Sequence, residues 1–416
     1  MLKQYIKQAW RGFSENKLQS RLTILGTALS ICMIMVLVLV DEVKYGPFPP
    51  EIHRREMLIV KQMVEKSSEN WSMSGVGERS IKEFFTDLKT TKRVAFYTFS
   101  RNTIGLPDQP SKGQYFVTGV SEQYWDFFDF KFIAGTHFTA EETTAGISLV
   151  VLSDKLASEL FGQDDAVGKE ILLGGNDRYK VVGVVKRPQR VITYAYGDIW
   201  VPYTSPAFKE SESSQSYVGA YNLFLMPDGN GGKKEIAKEV QERVKYFNST
   251  SDDIEIDLLG APDDFRTASF RLGLDPVDLT SAYRKQFVLL ALFFLVPAVN
   301  IASLTHSRMK KRIGEIGIRK AYGANNRNIL NQVVWESLLY TLIGTAIGFV
   351  CSVIAIYTLQ EMLFGEGNIE IPLWTLIRLE VIAVVIITAV LLNMVSAIVP
   401  ALLASRRSII DALERR

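Results

Sequence analysis

The chain of 416 residues is poor in the side chains that most often build metal centres and covalent cross-links. It has two cysteines, Cys32 and Cys351, and three histidines. Both cysteines fall inside long apolar runs, so the polar part of the chain has no disulfide and must be stabilised by its own core. His53, His137 and His306 have no partner at the spacing of a metal site. The sequence therefore excludes a disulfide scaffold and predicts no bound metal.

Motifs for ester and nucleotide chemistry are missing as well. No G-x-S-x-G is present, so a serine hydrolase elbow is not expected. The stretch 162–170, GQDDAVGKE, resembles a phosphate-binding loop, but five residues separate its glycines. Glu170 stands where Ser or Thr would hold magnesium. The sequence therefore offers no motif for ester hydrolysis or for nucleotide binding.

Charge is absent from long stretches of the chain. A net charge of +2, with 22% charged and 47% hydrophobic residues, would fit a soluble protein, but the apolar residues are clumped into four charge-poor runs: 22–40, 287–304, 333–359 and 381–403. A bilayer core of about 30 Å needs roughly 20 helical residues. A single run of this kind could be a buried core helix, but four together predict four membrane spans.

The charges that flank these runs predict their orientation. Lys and Arg outnumber acids before the first run, between the second and third, and after the fourth. The short loop between the third and fourth carries Glu361, Glu366 and Glu370, with no Lys or Arg before Arg378. Positive residues stay on the cytoplasmic side. Both termini and residues 305–332 are therefore expected inside, and residues 42–285 and 360–377 outside.

The N-terminal segment is predicted to stay attached. A secretory signal is the alternative, but the charged region is long and DEVKYGPFPP follows without a small-residue cleavage site. Before the run, Leu2, Ile6, Trp10 and Phe13 recur at helical spacing with basic residues between them. This pattern favours an amphipathic helix on the inner membrane surface over an ordinary packed helix, and makes lipid a partner.

The large polar segment between the first two runs reads as an α+β domain of about 240 residues, which is long enough to fold on its own core. Apolar strand-like runs alternate with helical ones. The predicted strands lie at 57–63, 94–100, 148–153, 179–186, 221–226 and 254–258, and the predicted helices at 79–89, 154–161 and 233–247. Ser153 or Asp154 is the expected cap of the helix 154–161.

Small residues at four-residue spacing predict close helix packing. Gly26 and Ser30 lie in the first apolar run, and Gly344 and Gly348 lie in the third. Small residues at this spacing let two membrane helices approach closely.

The segment between the second and third runs, RIGEIGIRKAYGA (312–324), carries the most information about function. Glu315 precedes Arg319 by four residues, which stabilises a helix, and Gly323 fits a helix end. The simplest alternative is a basic loop that only obeys the positive-inside rule, but that explains the charges and not the regular helix. Such a helix must lie on the inner membrane surface or dock into a cytoplasmic partner.

Several segments resemble the MacB/FtsX-like ABC transporter permeases. EIGIRKAYGA (315–324) is similar to that family's cytoplasmic motif between spans two and three, and residues 400–413 resemble its closing motif. The segments 127–135, 150–162, 167–173 and 179–185 are similar to the family's periplasmic core domain. These segments occur in the family's order over nearly the whole chain.

The resemblance implies a four-span permease in a bacterial inner membrane. Its parts would be a cytoplasmic helix (1–20), span one (21–41), a periplasmic core domain (42–285), span two (286–304), a cytoplasmic loop (305–332), span three (333–359), a periplasmic loop (360–377), span four (378–403) and a tail (404–416). The core domain would have two lobes, one discontinuous (about 45–112 with 217–275) and one inserted (about 113–216).

The resemblance also implies a non-catalytic permease that binds no cofactor itself and works through partners. Two permease chains, identical or paralogous, would bind a separate cytoplasmic ATPase dimer that holds ATP and magnesium. A periplasmic adaptor and an outer-membrane channel are further partners of the family, and nucleic acid is not. The residues implied to couple the permease to the ATPase are Arg312, Gly314, Glu315, Ile316, Gly317, Ile318, Arg319, Lys320, Gly323 and Ala324.

Two functions remain open from the sequence. The dimer could export or extract an antibiotic, peptide or lipoprotein from the periplasm or outer leaflet. Alternatively, it could transmit a mechanical signal that activates a cell-wall hydrolase and transport nothing.

Overall fold

A computed structural model describes residues 17–188, 194–209, 216–228, 232–271, 277–311 and 326–364, with short helical stretches between 382 and 391. The chain divides into two compact units. We call residues 1–42 with 283–416 the helical unit, and Val43–Ala282 the α+β unit.

The helices that the structure describes differ widely in length. They are α1 Lys17–Tyr45, α2 Glu78–Ser80, α3 Tyr124–Phe127, α4 Ala140–Thr144, α5 Asp154–Phe161, α6 Pro206–Lys209, α7 Lys233–Thr250, α8 Phe265–Phe270, α9 Leu279–Lys311 and α10 Asn326–Phe364. A π-helical turn, Ile81–Phe85, follows α2 directly.

Two of these helices are long and apolar enough to cross a membrane. The qualifying segments are Ile24–Tyr45 in α1 and Ser337–Leu359 in α10. They correspond to the predicted first and third spans. Residues 286–304, the predicted second span, are helical within α9. Most of the predicted fourth span lies outside the described residues.

The α+β unit is built from fourteen strands among its described residues. They are β1 Leu58–Val60, β2 Met63–Ser67, β3 Trp71–Val76, β4 Thr91–Leu106, β5 Gln109–Val120, β6 Phe132–Gly135, β7 Leu149–Ser153, β8 Glu170–Leu173, β9 Asp177–Val185, β10 Ile199–Pro202, β11 Val218–Gly219, β12 Asn222–Pro227, β13 Ile254–Asp257 and β14 Asp263–Asp264.

These strands form two sheets. The larger follows the order β14-β1-β12-β4-β5-β10-β7-β9-β6, with β8 beside β4 and β9. Its pairs are antiparallel except β5 with β10 and β7 with β9, which are parallel. The smaller sheet has the order β11-β3-β2-β13.

The larger sheet continues through both of the predicted lobes. β4 belongs to the predicted discontinuous lobe and β5 to the predicted inserted lobe, and the two strands pair from Tyr97↔Val120 to Leu106↔Gln109. The unit has three buried apolar clusters. One lies under α7 and the small sheet, one lies around α5 and β7, and the third holds Trp125, Trp200 and Phe224.

Local sequence explains where helices begin and end. Ser153 Oγ accepts a hydrogen bond from the Leu156 amide and caps α5, as predicted, and Gly162 ends the helix with a positive φ of 68°. The predicted helix 79–89 is wrong in extent. It ends at Phe85, because the Thr86 amide donates to the Ile81 carbonyl and Asp87 adopts a φ of 56°.

Candidate functional site

The residues that the sequence assigns to ATPase coupling lie outside the described residues. They are Arg312, Gly314, Glu315, Ile316, Gly317, Ile318, Arg319, Lys320, Gly323 and Ala324. Their role in coupling stays a prediction.

Within the helical unit, α1 and α10 touch along small residues. A Cβ added at Gly344 would lie 2.9 Å from Thr27 Cβ, and one added at Gly348 would lie 2.6 Å from the Ala28 carbonyl oxygen. Only glycine fits at that second distance without moving a backbone. Ser30 Oγ instead donates to the carbonyl of Gly26, one turn earlier in α1, at 2.8 Å. Gly344 thus approaches α1 at Thr27, and Gly348 approaches it at Ala28.

A fully buried ion pair holds the end of α1 inside the α+β unit. Arg54 Nε donates to Glu51 Oε2 at 2.6 Å, and neither side chain is exposed to solvent. Arg54 Nη1 donates to the carbonyls of Val43, Lys44 and Gly46 at 3.4, 2.8 and 3.3 Å. The last carbonyls of a helix have no partner within the helix. Arg54 therefore caps the C-terminal end of α1 with a positive charge, which suits the helix dipole.

Glu51 joins this cap to a distant segment. Its Oε1 accepts hydrogen bonds from the amides of Tyr194 and Ala195 at 2.6 and 2.7 Å. The Asp129 amide also donates to the Pro50 carbonyl at 2.8 Å. The pair thus connects the end of α1 to residues that the sequence assigns to the inserted lobe.

Aromatic contacts bring α8 to the same place. The Arg54 guanidinium lies 4.6 Å from the ring centre of Phe265, and Tyr45 packs edge-on against Phe265. Arg266 covers the other ring, with its guanidinium 4.2 Å from the centre of Tyr45. Tyr45 Oη and Ser269 Oγ are 3.2 Å apart. α8 therefore contacts the last turn of α1 through both π systems and a hydrogen bond.

A second buried pair lies where the chain leaves the α+β unit. Arg271 binds Asp263 through two hydrogen bonds, Nε to Oδ2 at 2.6 Å and Nη2 to Oδ1 at 2.9 Å, and its Nη1 donates to the Leu259 carbonyl. Two parallel bonds of this kind fix orientation as well as distance. Nearby, Lys61 Nζ donates to the Ala268 carbonyl at 3.0 Å. Burial lowers the pKa of Lys61, and Arg271 lowers it further against the opposing effect of Asp263.

We call Glu51–Arg54 the entry pair and Asp263–Arg271 the exit pair. Sequence reasoning missed both. Glu51 and Arg54 stand in a run of mixed charges, EIHRRE, which is typical of a solvated surface. The two prolines before Glu51 mark a turn and were the one available signal that the chain changes direction there.

A groove of about 800 Å³ lies between α7 and the π-helical turn, lined by charged residues with Phe84, Tyr246 and Phe247. Glu239 closes one side by accepting from the amides of Lys89 and Thr90 and from Thr90 Oγ1. Desolvation alone would raise the pKa of Glu239. The hydrogen bonds and nearby Arg243 outweigh it and hold that pKa below its usual value.

The described residues contain no group of three or more His, Cys, Asp or Glu that could hold a metal. In the glycine-containing turn 162–170, the Gly168 amide donates to the Val181 carbonyl and Lys169 pairs with Asp164 at 3.1 Å. This amide and this lysine are therefore engaged within the protein.

Comparison with known proteins covers both units. A family model described as the MacB-like periplasmic core domain matches residues 20–243, and one described as the FtsX-like permease C-terminal region matches residues 287–409. The macrolide export ATP-binding/permease protein MacB of Escherichia coli K12 is 23% identical over 99% of this chain. Its Shigella flexneri counterpart is 23% identical over 86% of the chain. The chain spans about 60% and 54% of the length of these two relatives.

Solved structures of similar domains include the periplasmic region of MacB from Actinobacillus actinomycetemcomitans, at 15% identity and a TM-score of 0.37 over 50% of this chain and 91% of that one. The extracellular domain of the noncanonic ABC-type transporter YknZ from Gram-positive bacteria matches at 18% identity and a TM-score of 0.35 over 48% and 98%.

Proposed function

Because this chain belongs to the family of FtsX-like permeases with a MacB-like periplasmic core domain, we propose that it is the membrane subunit of an ABC transporter. In this proposal an ATPase partner supplies the energy, and the permease turns ATP hydrolysis into movement of its external domain. The single observation that carries the proposal is the ordered match of both family descriptions to one chain, 20–243 and then 287–409.

The 312–324 segment is the proposed contact with the ATPase. It lies inside the FtsX-like match, between the helices α9 and α10. Its basic charge requires a cytoplasmic position if the flanking helices span the membrane. Since the 416 residues contain no phosphate-binding loop, we assign ATP and magnesium to the partner.

The proposed assembly pairs two permease chains in the inner membrane of a bacterium, with both termini inside and the α+β unit in the periplasm. Exposed apolar side chains such as Phe287, Leu292 and Ile354 suit lipid or a second permease chain. A periplasmic adaptor and an outer-membrane channel would complete an export path.

Export or extraction of a substrate is the function that we favour. The E. coli relative is named for macrolide export, and the large two-sheet α+β unit offers the groove beside α7 to the periplasm. Activation of a cell-wall hydrolase without transport is the second candidate. The match to the FtsX-like permease C-terminal region over residues 287–409 is the observation that fits it.

Purification of the full-length chain from its source membranes in mild detergent tests whether it is the membrane subunit of an ABC transporter. We expect a separate ATPase to remain bound and to hydrolyse ATP in a magnesium-dependent manner. A dimeric permease that retains no ATPase would overturn the proposal.

A deletion strain separates the two tasks. Increased susceptibility to antibiotics, or retention of lipoproteins at the inner membrane, is expected for an exporter. Cell chaining with normal susceptibility and normal lipoprotein localisation would instead favour the signalling function.

A further inference from the structure

Buried arginine–carboxylate pairs stand at both places where the chain passes between the α+β unit and the apolar helices. The entry pair follows α1 by six residues, and Arg271 of the exit pair precedes α9 by eight. Arg54, Glu51, Asp263 and Arg271 are all buried. Burial of charge is costly, and apolar residues of similar volume are often as stable or more so. A role in net stability therefore explains the two pairs poorly, whereas a role in fixing geometry explains them well.

The entry pair has the geometry of a rigid connection. A guanidinium is planar and presents five donors in fixed directions, so it can hold several acceptors in one arrangement. Arg54 uses this fork to hold the carbonyls of Val43, Lys44 and Gly46 together with Glu51. A displacement of the end of α1 must either break these bonds or carry Arg54 along with it.

The partners of the entry pair reach two further segments of the α+β unit. Glu51 binds the amides of Tyr194 and Ala195, which are 143 and 144 residues away in sequence. Arg54 lies on Phe265 at the start of α8, the helix that leads to the exit pair. One ion pair thus fastens the end of α1 to the predicted inserted lobe and to the chain that leads into α9.

We propose that Glu51 and Arg54 are positioning residues that carry displacement of α1 into the α+β unit at Tyr194 and Ala195. This inference rests on the proposed function for its biological meaning, because an ATP-driven permease needs such a connection. The mechanical connection itself can be measured without an ATPase.

The test displaces α1 and measures the response at the far side of the pair. Gly348→Ala places a Cβ 2.6 Å from the Ala28 carbonyl oxygen, so that α1 and α10 must separate. Hydrogen–deuterium exchange is then followed at the amides of Tyr194 and Ala195 in the full-length chain, without ATPase. Ile347→Ala, at an exposed neighbouring position of α10, is the control for the substitution itself.

We expect Gly348→Ala to accelerate exchange at these two amides by about three- to tenfold, the size expected when a hydrogen bond worth roughly 1 kcal/mol is weakened. In an Arg54→Lys background, the same substitution should leave exchange at both amides unchanged, because lysine cannot span Glu51 and three carbonyls.

Arg243→Lys is the matched control background. Arg243 also holds two carbonyls, those of Thr86 and Asp87, and pairs with Glu239, but it has no bond to residues 43–46 among those described. The response to Gly348→Ala should survive there. A merely structural role of Arg54 would change basal exchange and stability but would not abolish the response selectively.

An unchanged response in Arg54→Lys, or no response in the wild-type background, would overturn the inference. If Arg54→Lys does not accumulate, Glu51→Gln replaces it, with the same expected loss. If the chain binds no ATPase, the proposed function is wrong but the exchange result is unaffected, so the two failures are distinguishable.

Discussion

Glu239 shows how a single carboxylate can hold a turn in place. It accepts two backbone amides and one hydroxyl from Lys89 and Thr90, and Arg243 lies 3.4 Å away. These groups favour the ionised form and hold the pKa of Glu239 below its usual value despite burial. α7 and the start of β4 are therefore tied together by a charge.

Glu239→Gln should lower the free energy of unfolding by about 1–3 kcal/mol at pH 7, because an amide replaces a carboxylate that accepts three hydrogen bonds. A carboxylate whose pKa is lower in the folded protein than in the unfolded chain stabilises the folded state above its unfolded pKa, here near 4.5. That stabilisation is lost as the pH falls through the pKa of the folded state. Thermal unfolding of both proteins between pH 7 and pH 3 measures the difference.

The gap between the two unfolding curves should close below pH 4.5. Glu242→Gln is the matched control, since Glu242 is largely exposed and its pair with Lys238 is 3.7 Å long. A gap that stays constant with pH, or one of equal size in the control, would contradict the assignment.

At this scale the sequence predicted little of the site. The role of Glu51 depends on Tyr194, which is 143 residues distant, and no local pattern reports such a partner. Gly344 and Gly348 were named from spacing alone, and their neighbours across the helix pair required coordinates. The coupling residues 312–324 stay a prediction from sequence.

Elements were predictable where local signals agreed with burial. α5 has the predicted bounds and cap, because β7 before it is buried throughout and Gly162 ends it. The strand β5 was missed, because its N-terminal half, QPSKGQ, is polar and packs as a strand only by pairing with β4. The predicted helix 79–89 is too long, because the π-helical turn that closes at Thr86 has no simple sequence pattern.

The pairing of α1 with α10 makes a prediction at the scale of elements. Cys32 and Cys351 are the only cysteines of the sequence, and a Cβ at Gly348 would lie 3.2 Å from the Cys32 amide nitrogen. Cys351 follows Gly348 by about one helical turn, so the two thiols should share the interface. Mild oxidation of membranes should therefore link Cys32 to Cys351, and peptide mass spectrometry before and after reduction detects the product.

The control moves one thiol to the preceding position of the same helix. Val350 follows Gly348 by two positions, and such positions do not face the same side of a helix, so Val350→Cys combined with Cys351→Ser should give no link to Cys32. Equal cross-linking of the two proteins would contradict the described helix pair.

For the whole molecule, the clumped apolar residues and the ordered motifs predict the family. Family models that match residues 20–243 and 287–409 confirm this family. The continuous sheet through both predicted lobes was not predictable, since it depends on β4 and β5 pairing over most of their length. The lobe boundaries and the fourth span stay predictions.

In the proposed mechanism three parts act in series. An ATPase would move the 312–324 segment, the apolar helices would move with it, and the entry pair would carry the movement into the α+β unit. Weakening any one part should uncouple ATP hydrolysis from movement and leave membrane insertion intact.

The most direct measurement compares one substitution at two positions, Glu315→Lys and Glu361→Lys, in the full-length chain purified with its bound ATPase. Glu315 lies in the proposed coupling segment, and Glu361 lies in the last turn of α10, in the part of the chain predicted on the opposite side of the membrane. We expect Glu315→Lys to release the ATPase or to lower its permease-coupled hydrolysis by about tenfold, the effect of losing roughly 1.4 kcal/mol, and we expect Glu361→Lys to change neither. ATPase retention and coupled hydrolysis that are both unchanged by Glu315→Lys would contradict the proposed coupling.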